Sequence, residues 1–552
     1  MRHHHLLLCL SGILILACTQ DNKQQTQIPG PQEMMVGEDI SVFGVALDET
    51  PLPSTEVDNE QIVTSPSASN YYDFVENSNF NQQVKLTYTD GKVAVENAPS
   101  SVAVQCDGAD VIVNSSAAGV EYIMQGKTDN GSLTIHSQQN VKITLNGCKI
   151  KNPDGGVITV TGAPYTYLAI EGNDNYLEDG FVLKEKKKND DPDDDGSANY
   201  SIDELKRQSK SQAKANASGV KKKKNSIKGT ILTDHNLVFS GRGKLNIQCN
   251  SKSGIRADEE VAFRPGNVIT VKTREGKGVS AKTGIVIYGG VLNVDATNSG
   301  KRGISSKGML AIYGGRTSVL TSGSDKCEGI ESKGVMLING GDIQVAATDD
   351  ALNAGEDLVV NGGNIYACSS VNDGMDANGN LIINGGNIVA SGGKAPECGL
   401  DANEEAGFHL FINGGTVVAT GGNHSVPSNK SRQNTVIYGT ALGSTGCMGI
   451  ASEEGPLMAY NLLRDYGDMG GQWLVSLPQL TKGATYSIFK AEACTTTDNT
   501  RFGLTLQPQG LKTEQVERID KLETPVTKLG KFFDPPAGDP GMPPPTDGQR
   551  PQ

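Results

Sequence analysis

Residues 372–387 read NDGMDANGNLIINGGN: an acid beside a glycine, a second acid, a short apolar run and a closing Asn-Gly-Gly. Close variants occur upstream, as DDALNAGEDLVVNGGN at 349–364, and downstream, as ECGLDANEEAGFHLFINGGT at 397–416. The second glycines of six such turns are 22 to 29 residues apart: Gly290, Gly315, Gly341, Gly363, Gly386 and Gly415. This short period, with alternating apolar residues, excludes βαβ units and predicts stacked coils of short strands, which is a parallel β-helix.

The repeat also sets the expected domain boundaries. Weaker copies of the turn extend the series to about eleven coils, so we expect the parallel β-helix over residues 66–425. Residues 184–228 carry blocks of like charge and are predicted to be a disordered insertion in one coil. The period fails after residue 430, which indicates a small C-terminal β module over 426–530 and a Pro-rich tail over 531–552.

The N-terminal sequence is typical of an exported protein. A basic start and an apolar stretch indicate a signal peptide over residues 1–17, and Ile15-Leu16-Ala17-Cys18 resembles a bacterial lipobox. We therefore expect lipidation at Cys18, a flexible linker over 18–65, and an outer-membrane location, because no aspartate follows the cysteine. The alternative is an ordinary signal peptide with a chance cysteine.

Overall composition narrows the class of function. The net charge of -14 argues against a nucleic-acid partner and is compatible with bound cations. The 67 glycines and only 5% aromatic residues suit short strands and tight turns. The eight cysteines outside the N-terminal segment show no CxxC pairing, so a zinc site is not expected. We expect a monomer.

Between the Gly-Gly turns, aligned columns of side chains change sign along the repeat. Coils near residues 250–307 present bases, whereas later coils present acids: Glu328, Glu331, Asp349, Asp350, Asp373, Asp376, Glu397 and Asp401. Carboxylates one coil apart, at about 4.8 Å, repel by about 3–4 kcal/mol at an effective dielectric of 20. A shared Ca²⁺ would relieve this repulsion, so we predict these eight residues as calcium ligands. The alternative is that they splay into water.

The basic coils and two tyrosines are the candidate contacts for a ligand. Lys277, Lys301 and Arg302 repeat at coil spacing and can pair with a regularly charged polymer. Tyr288 and Tyr313 occupy the turn position that later coils fill with asparagine, and an exposed aromatic ring can stack on a sugar. Together they favour a polysaccharide partner; the alternative is a solvated face. The asparagine column itself is best interpreted as a structural ladder.

The order of these motifs resembles that of the bacterial carbohydrate-binding β-helix family. The resemblance covers about residues 70–490 without the insertion, from VKITLNGCKIKNPDGGVITV through the Asn-Gly-Gly repeats to QWLVSLPQLTKGATYSIF. It implies a right-handed parallel β-helix that binds calcium and polysaccharides such as polygalacturonate, on a scaffold similar to that of pectate lyases. The acid that the family usually has before Gly-Ile is present as Glu328, Asp350 and Asp373 but is replaced by Ser253, Lys277, Arg302 and Cys398 in other coils, so the resemblance implies calcium in the coils of residues 328–401 only.

Two functional hypotheses remain open at the level of sequence. The first is a non-catalytic lipoprotein that binds acidic, pectin-like or cellulose-like polysaccharide with calcium. The second is a calcium-dependent polysaccharide lyase in which Lys301 or Arg302 abstracts a proton next to a uronate. We favour the first, because no single base is marked out among the many lysines.

Overall fold

The computed structural model describes residues 39–58, 60–181, 227–323, 326–439, 446–466, 470–492, 494 and 500–532. The expected signal peptide, Cys18, most of the insertion and most of the Pro-rich tail lie outside these residues. Within them, no helix has the length and apolar character that crossing a membrane requires.

The chain is all-β and forms a β-solenoid of about 11 turns, which confirms the fold class. Most coils contribute one strand to each of three parallel stacks. The first stack begins with an antiparallel pair and contains Val102–Asp107, Asp110–Ser115, Ser132–Ser137, Ile158–Thr161, Ile231–Thr233, Ser253–Ala257, Lys277–Ala281, Ile304–Ser306, Ile330–Ser332, Leu352–Ala354, Met375–Ala377 and Leu400–Ala402.

The other two stacks belong to one large sheet. The second stack contains Gln82–Thr89, which also pairs with the capping strand Lys92–Glu96, then Val120–Thr128, Val141–Asn152, Tyr165–Glu171, Asn236–Gly241, Glu260–Phe263, Gly284–Ile287, Met309–Ile312, Met336–Ile338, Leu358–Val360, Leu381–Ile383 and Leu410–Ile412. The third contains Asn175–Asp179, Lys244–Cys249, Val268–Thr273, Val291–Ala296, Arg316–Thr321, Asp342–Ala347, Asn364–Ser369, Asn387–Ser391 and Thr416–Gly421.

The Asn-Gly-Gly turns connect the second and third stacks for a steric reason. Gly363 has a φ of +98°, and a Cβ there would lie 2.9 Å from the backbone of the preceding turn, so only glycine fits. The asparagines form the expected ladder: the Asn361 side chain donates to Asn339 at 2.7 Å, and Asn384 donates to Asn361 at 2.8 Å. Each turn therefore fixes the register of the next.

Alternation along the short strands decides which side chains face outwards. In the strand Met375–Ala377, Met375 and Ala377 are buried in the solenoid core, and Asp376 between them is not. Because side chains on a strand point alternately to opposite faces, the acid projects from the outer face of the first stack. The strand Leu400–Ala402 repeats this pattern with Asp401.

The expected flexible linker is wrong for the described residues up to 65, which lie against the coils. This segment contains the 3₁₀ helix Ile40–Phe43 and the helical turn Thr55–Asp58, and the 3₁₀ helices Tyr71–Asp73 and Val75–Asn77 follow it. Glu60 lies 2.6 Å from the buried Arg264, and the carbonyl of Phe43 accepts from Tyr366 at 2.9 Å. Ion pairs and apolar contacts with distant coils thus hold this N-terminal segment, which composition alone predicts to be a flexible linker.

The C-terminal strands partly continue the solenoid and partly form a separate sheet. Thr435–Gly439, Gln472–Ser476 and Val526–Gly530 extend the large sheet beyond Thr416–Gly421. The six-stranded antiparallel sheet contains Gly446–Ser452, Gly455–Leu462, Tyr486–Ala491, Thr500–Arg501, Leu504–Leu506 and Thr513–Ile519. A disulfide joins Cys447 to Cys494 in this region. The remaining 3₁₀ helix, Glu404–Ala406, lies in a turn of the last regular coil.

Candidate functional site

The acidic columns have the register that the sequence alignment predicts. Glu331, Asn353, Asp376 and Asp401 are direct partners on successive strands of the first stack. Parallel pairing without a shift places each side chain about one strand spacing from the next. The carboxylates of neighbouring coils are therefore brought together on one outer face.

Three of the predicted ligands form a compact cluster. Asp373, Asp376 and Asp401 each offer one oxygen, and these oxygens lie within 4.8 Å of one another. Two oxygens on one Ca²⁺ can be separated by at most twice the Ca–O distance, about 4.6–5.2 Å. The three residues could therefore hold one Ca²⁺, and we call them the aspartate trio.

Electrostatics make the trio costly without a cation. Burial, followed by Asp401 and other carboxylates, raises the pKa of Asp373 to about 8, although the Cys398 amide opposes the shift. Burial and Asp401 raise the pKa of Asp376 to about 7, and burial also raises the pKa of Asp401. Asp373 and Asp376 thus bind protons near neutral pH, and a divalent cation would displace them.

Two further acids beside the trio, Asp349 and Asp350, accept hydrogen bonds from other groups of the protein. Asp350 is buried and accepts from the Asp373 amide at 3.0 Å and from the Asn353 side chain at 2.8 Å. Burial, followed by Asp376 and Asp373, raises its pKa. Asp349 accepts from the Asn372 side chain at 2.9 Å. These bonds fix the shape of the turn and leave both acids as supports of the cluster.

Glu397 lies in the turn that precedes the strand Leu400–Ala402. It is half-buried, and burial together with Asp401 and Asp349 raises its pKa. Its charge therefore adds to the field of the trio, and it is a candidate for an outer ligand.

Glu328 and Glu331, which the sequence predicts as calcium ligands, form ion pairs with basic side chains in the structure. Arg302 lies 2.9 Å from Glu328 and 2.7 Å from Glu331, and Lys333 lies 2.5 Å from Glu331. Ser305 also donates to Glu331 at 2.7 Å. Both acids are nearly fully buried, so these cations satisfy the charge that the sequence alignment assigned to a metal.

The same ion pairs influence the pKa values of Arg302, Glu328 and Glu331, which lie where the basic coils meet the acidic coils. Burial opposes ionisation of Glu331, but Arg302 and Lys333 hold its pKa below the ordinary value. Burial and Glu331 raise the pKa of Glu328. Although burial acts against it, the pair of glutamates raises the pKa of Arg302. Arg302 is therefore a fixed cation paired with two glutamates, and its contact with a ligand stays a prediction.

The other predicted contacts are placed differently from one another. Lys301 is exposed, and the Lys277 ammonium lies 3.4 Å from the Ser305 hydroxyl. Tyr313 is 46% exposed and stacks on Tyr288 with ring centroids 5.6 Å apart. The Tyr288 hydroxyl donates to Asp73 at 2.6 Å, and the contact of its ring with a sugar stays a prediction.

Two polar residues near the trio were missed by the sequence reasoning. Asn353 occupies the acid column and donates to Asp376 at 2.7 Å, and Ser425 donates to Asp401 at 3.0 Å. Asn353 could have been found, because it stands between Glu331 and Asp376 in the aligned column. Ser425 could not, because it lies beyond the regular repeat.

Comparison with known proteins finds a family model that matches part of this chain. The family model "Carbohydrate-binding domain-containing protein" matches residues 107–209, 194–327 and 298–370. A solved structure described as "polysaccharide lyase-like protein from C. thermocellum" is 14% identical to this chain, and the alignment covers 62% of this chain and 94% of the other, with a TM-score of 0.29. No curated protein sequence matches. Residues 107–370 are thus similar to the carbohydrate-binding domain-containing family that the motifs resemble.

Proposed function

We propose that the protein binds polysaccharide without catalysis and that a Ca²⁺ ion held by the aspartate trio takes part in binding. The observation that carries the proposal is the approach of three carboxylate oxygens to within 4.8 Å on the outer face of one stack. The family whose model matches residues 107–370 is described as carbohydrate-binding. A metal on the outer face can complete its shell with sugar hydroxyls or uronate carboxylates.

The class of polysaccharide follows from charge. Ca²⁺ takes six to eight oxygen ligands, and three carboxylates leave several positions for water or ligand oxygens. Lys301 is exposed, on a basic coil of the same solenoid. A polymer with regularly spaced carboxylates, such as polygalacturonate, would contact both the ion and such bases. We therefore propose an acidic, pectin-like chain as the ligand of this face.

The lyase alternative lacks a suitable base at Arg302. Its guanidinium pairs with Glu328 and Glu331, and these pairs favour the protonated form. A general base must release its proton near the working pH, which Arg302 does not do. The lyase hypothesis then rests on Lys301 alone, and we propose binding without catalysis because no single base is marked out among the many lysines.

For the cellular location, we propose a lipid anchor at Cys18 and display at the outer membrane. The support is the lipobox-like sequence that ends at Cys18. Metabolic labelling with a palmitate analogue tests this proposal. We expect label in the wild-type protein and none in Cys18→Ala; equal labelling of both would contradict it.

Retention on immobilised polygalacturonate tests the proposed binding. We expect retention in 2 mM Ca²⁺ and release by EDTA, and we expect Asp376→Asn/Asp401→Asn to lose calcium-dependent retention. Asparagine keeps an oxygen of similar shape and removes the charge, so the variant should fold. Glu356→Gln, an exposed acid of a neighbouring turn, is the matched control and should behave as wild type.

The same experiment can contradict the proposal in two ways. Retention that survives EDTA would remove calcium from the mechanism. New ultraviolet absorbance from an unsaturated uronate during incubation would show cleavage and contradict a purely binding role.

A further inference from the structure

The first coils carry a cleft with an uncharged lining, far along the chain from the aspartate trio. It consists of two adjoining hollows of about 590 and about 300 Å³ that share Phe80. The larger is lined by Phe80, Asn81, Gln82, Gln83, Asn97 and Pro99. The smaller lies between residues 72–80 and the turns at 118–119, 138–140 and 164. We call both hollows together the amide cleft.

The absence of charge in the lining is informative. Charged residues make up 20% of the chain, yet every residue that lines the amide cleft is neutral, and half of them are asparagine or glutamine. Each amide offers two donors and an acceptor with two lone pairs. Such a surface matches a ligand that is both donor and acceptor at many points, which is the property of hydroxyl groups.

Several of these amides have free hydrogen-bonding groups. The side chains of Asn79, Gln138 and Gln139 are exposed, and none of them forms a hydrogen bond with another residue in the described part of the chain. They border the smaller hollow, whose volume lies at the lower end of the range for small-molecule sites. A ligand could bind them without breaking existing contacts.

Other amides hold the walls in place. The Asn77 side chain donates to the carbonyls of Val63 and Tyr71, both at 2.7 Å. The Gln82 side chain donates to the Ala118 carbonyl at 3.0 Å. The cleft is therefore formed before a ligand arrives, which lowers the entropy that binding must overcome.

Aromatic rings complete the cleft. Tyr72 is 43% exposed and packs on Tyr165 with ring centroids 5.2 Å apart. Phe80, which both hollows share, packs edge-on against Tyr167 at 5.6 Å. The face of an aromatic ring is weakly negative and attracts the weakly positive C–H groups of a pyranose ring. Amides beside aromatic rings thus offer both kinds of contact that a sugar makes.

We propose that the amide cleft binds a segment of an uncharged, hydroxyl-rich glycan chain. The site needs no metal, because it contains no carboxylate, and it lies on different coils from the aspartate trio. The protein would then hold an acidic stretch of polysaccharide through calcium and a neutral stretch through amides and aromatic rings. Two weak sites on one polymer strengthen binding through effective concentration.

Isothermal titration calorimetry of the folded protein in EDTA tests this site. The probes are neutral β-1,4-linked hexasaccharides of glucose, xylose and mannose. We expect at least one to bind, and Gln138→Ala/Gln139→Ala to weaken that binding at least about tenfold. Gln105→Ala, an exposed glutamine on a first-stack strand of the same region, should leave binding unchanged. Equal melting temperatures would show that the variants are folded.

Two results would overturn the proposal: no binding of any neutral hexasaccharide in EDTA, or equal binding by wild type and the double variant. Asp376→Asn/Asp401→Asn should bind the neutral probe as wild type does. Failure of calcium-dependent retention on polygalacturonate would bear only on the aspartate trio, so the two sites are tested separately.

Discussion

Replacing Asp376 by asparagine should stabilise the calcium-free protein at pH 8 and abolish its stabilisation by calcium. Without a cation, ionised Asp376 and Asp401 have oxygens no more than 4.8 Å apart. At that distance and an effective dielectric of 20, Coulomb repulsion is about 3.5 kcal/mol. Asparagine removes this repulsion and keeps the shape of the side chain, so we expect the gain in unfolding free energy to approach that value.

The pH dependence follows from the same carboxyls. The pKa of Asp376 is raised to about 7 in the folded protein, above the value of about 3.9 for an unfolded aspartate. Between these two values the folded state binds more protons, so the stability contributed by protonated Asp376 falls as pH rises from about 4 to 7. The pKa of Asp373, about 8, extends the fall to higher pH. Calcium binds the ionised form, so its stabilising effect should grow over the same range.

Differential scanning calorimetry at pH 5, 6, 7 and 8, with EDTA or with one fixed Ca²⁺ concentration equal to 100 times the Kd of the wild-type protein at pH 8, measures both effects. Calcium at that ratio contributes about 2.7 kcal/mol, which raises the Tm by about 3 °C for a folded unit of this size. We expect that increase in the wild-type protein at pH 8, a smaller increase at pH 5, and none in Asp376→Asn. A calcium effect that is independent of pH, or that persists in the variant, would refute the reasoning.

Three other substitutions test the fold around the site. Arg302→Met removes a cation from the buried Glu331 and should lower the unfolding free energy by about 3–5 kcal/mol in urea; a loss below about 1 kcal/mol would contradict the importance of that pair. Gly363→Ala forces a Cβ at φ +98° to within 2.9 Å of backbone and should cost about 1–3 kcal/mol by the same assay, and an unchanged midpoint would count against the turn geometry. Arg264→Met removes the partner of Glu60 and Glu76, so limited proteolysis should cleave first within residues 39–78; cleavage elsewhere would show that these ion pairs do not hold the segment.

The repeat could be predicted from the sequence because its determinants are local. The second glycine of each turn needs a positive φ, as at Gly386, and strand alternation fixes which face an acid such as Asp376 occupies. Since parallel strands pair without a shift, aligning the turns also aligned the acid columns. The fold and the coils that carry the site followed from these rules.

The sequence does not show as directly which of the aligned acids are paired with basic side chains. Glu331 has the same position in the alignment as Asp376. It forms ion pairs, however, with Arg302 in the preceding coil and with Lys333 two residues further along the chain. Column-by-column alignment overlooks such diagonal pairs. The N-terminal segment was missed for another reason: Glu60 and Arg264 are 204 residues apart, and no local pattern marks them as partners.

A crystal structure of the protein grown with Ca²⁺ tests the central claim most directly. The account predicts an anomalous difference peak within 2.3–2.6 Å of oxygens from Asp373, Asp376 and Asp401, and none between Glu328 and Glu331. Absence of a peak at the trio at saturating calcium, or a peak at the two glutamates instead, would contradict it.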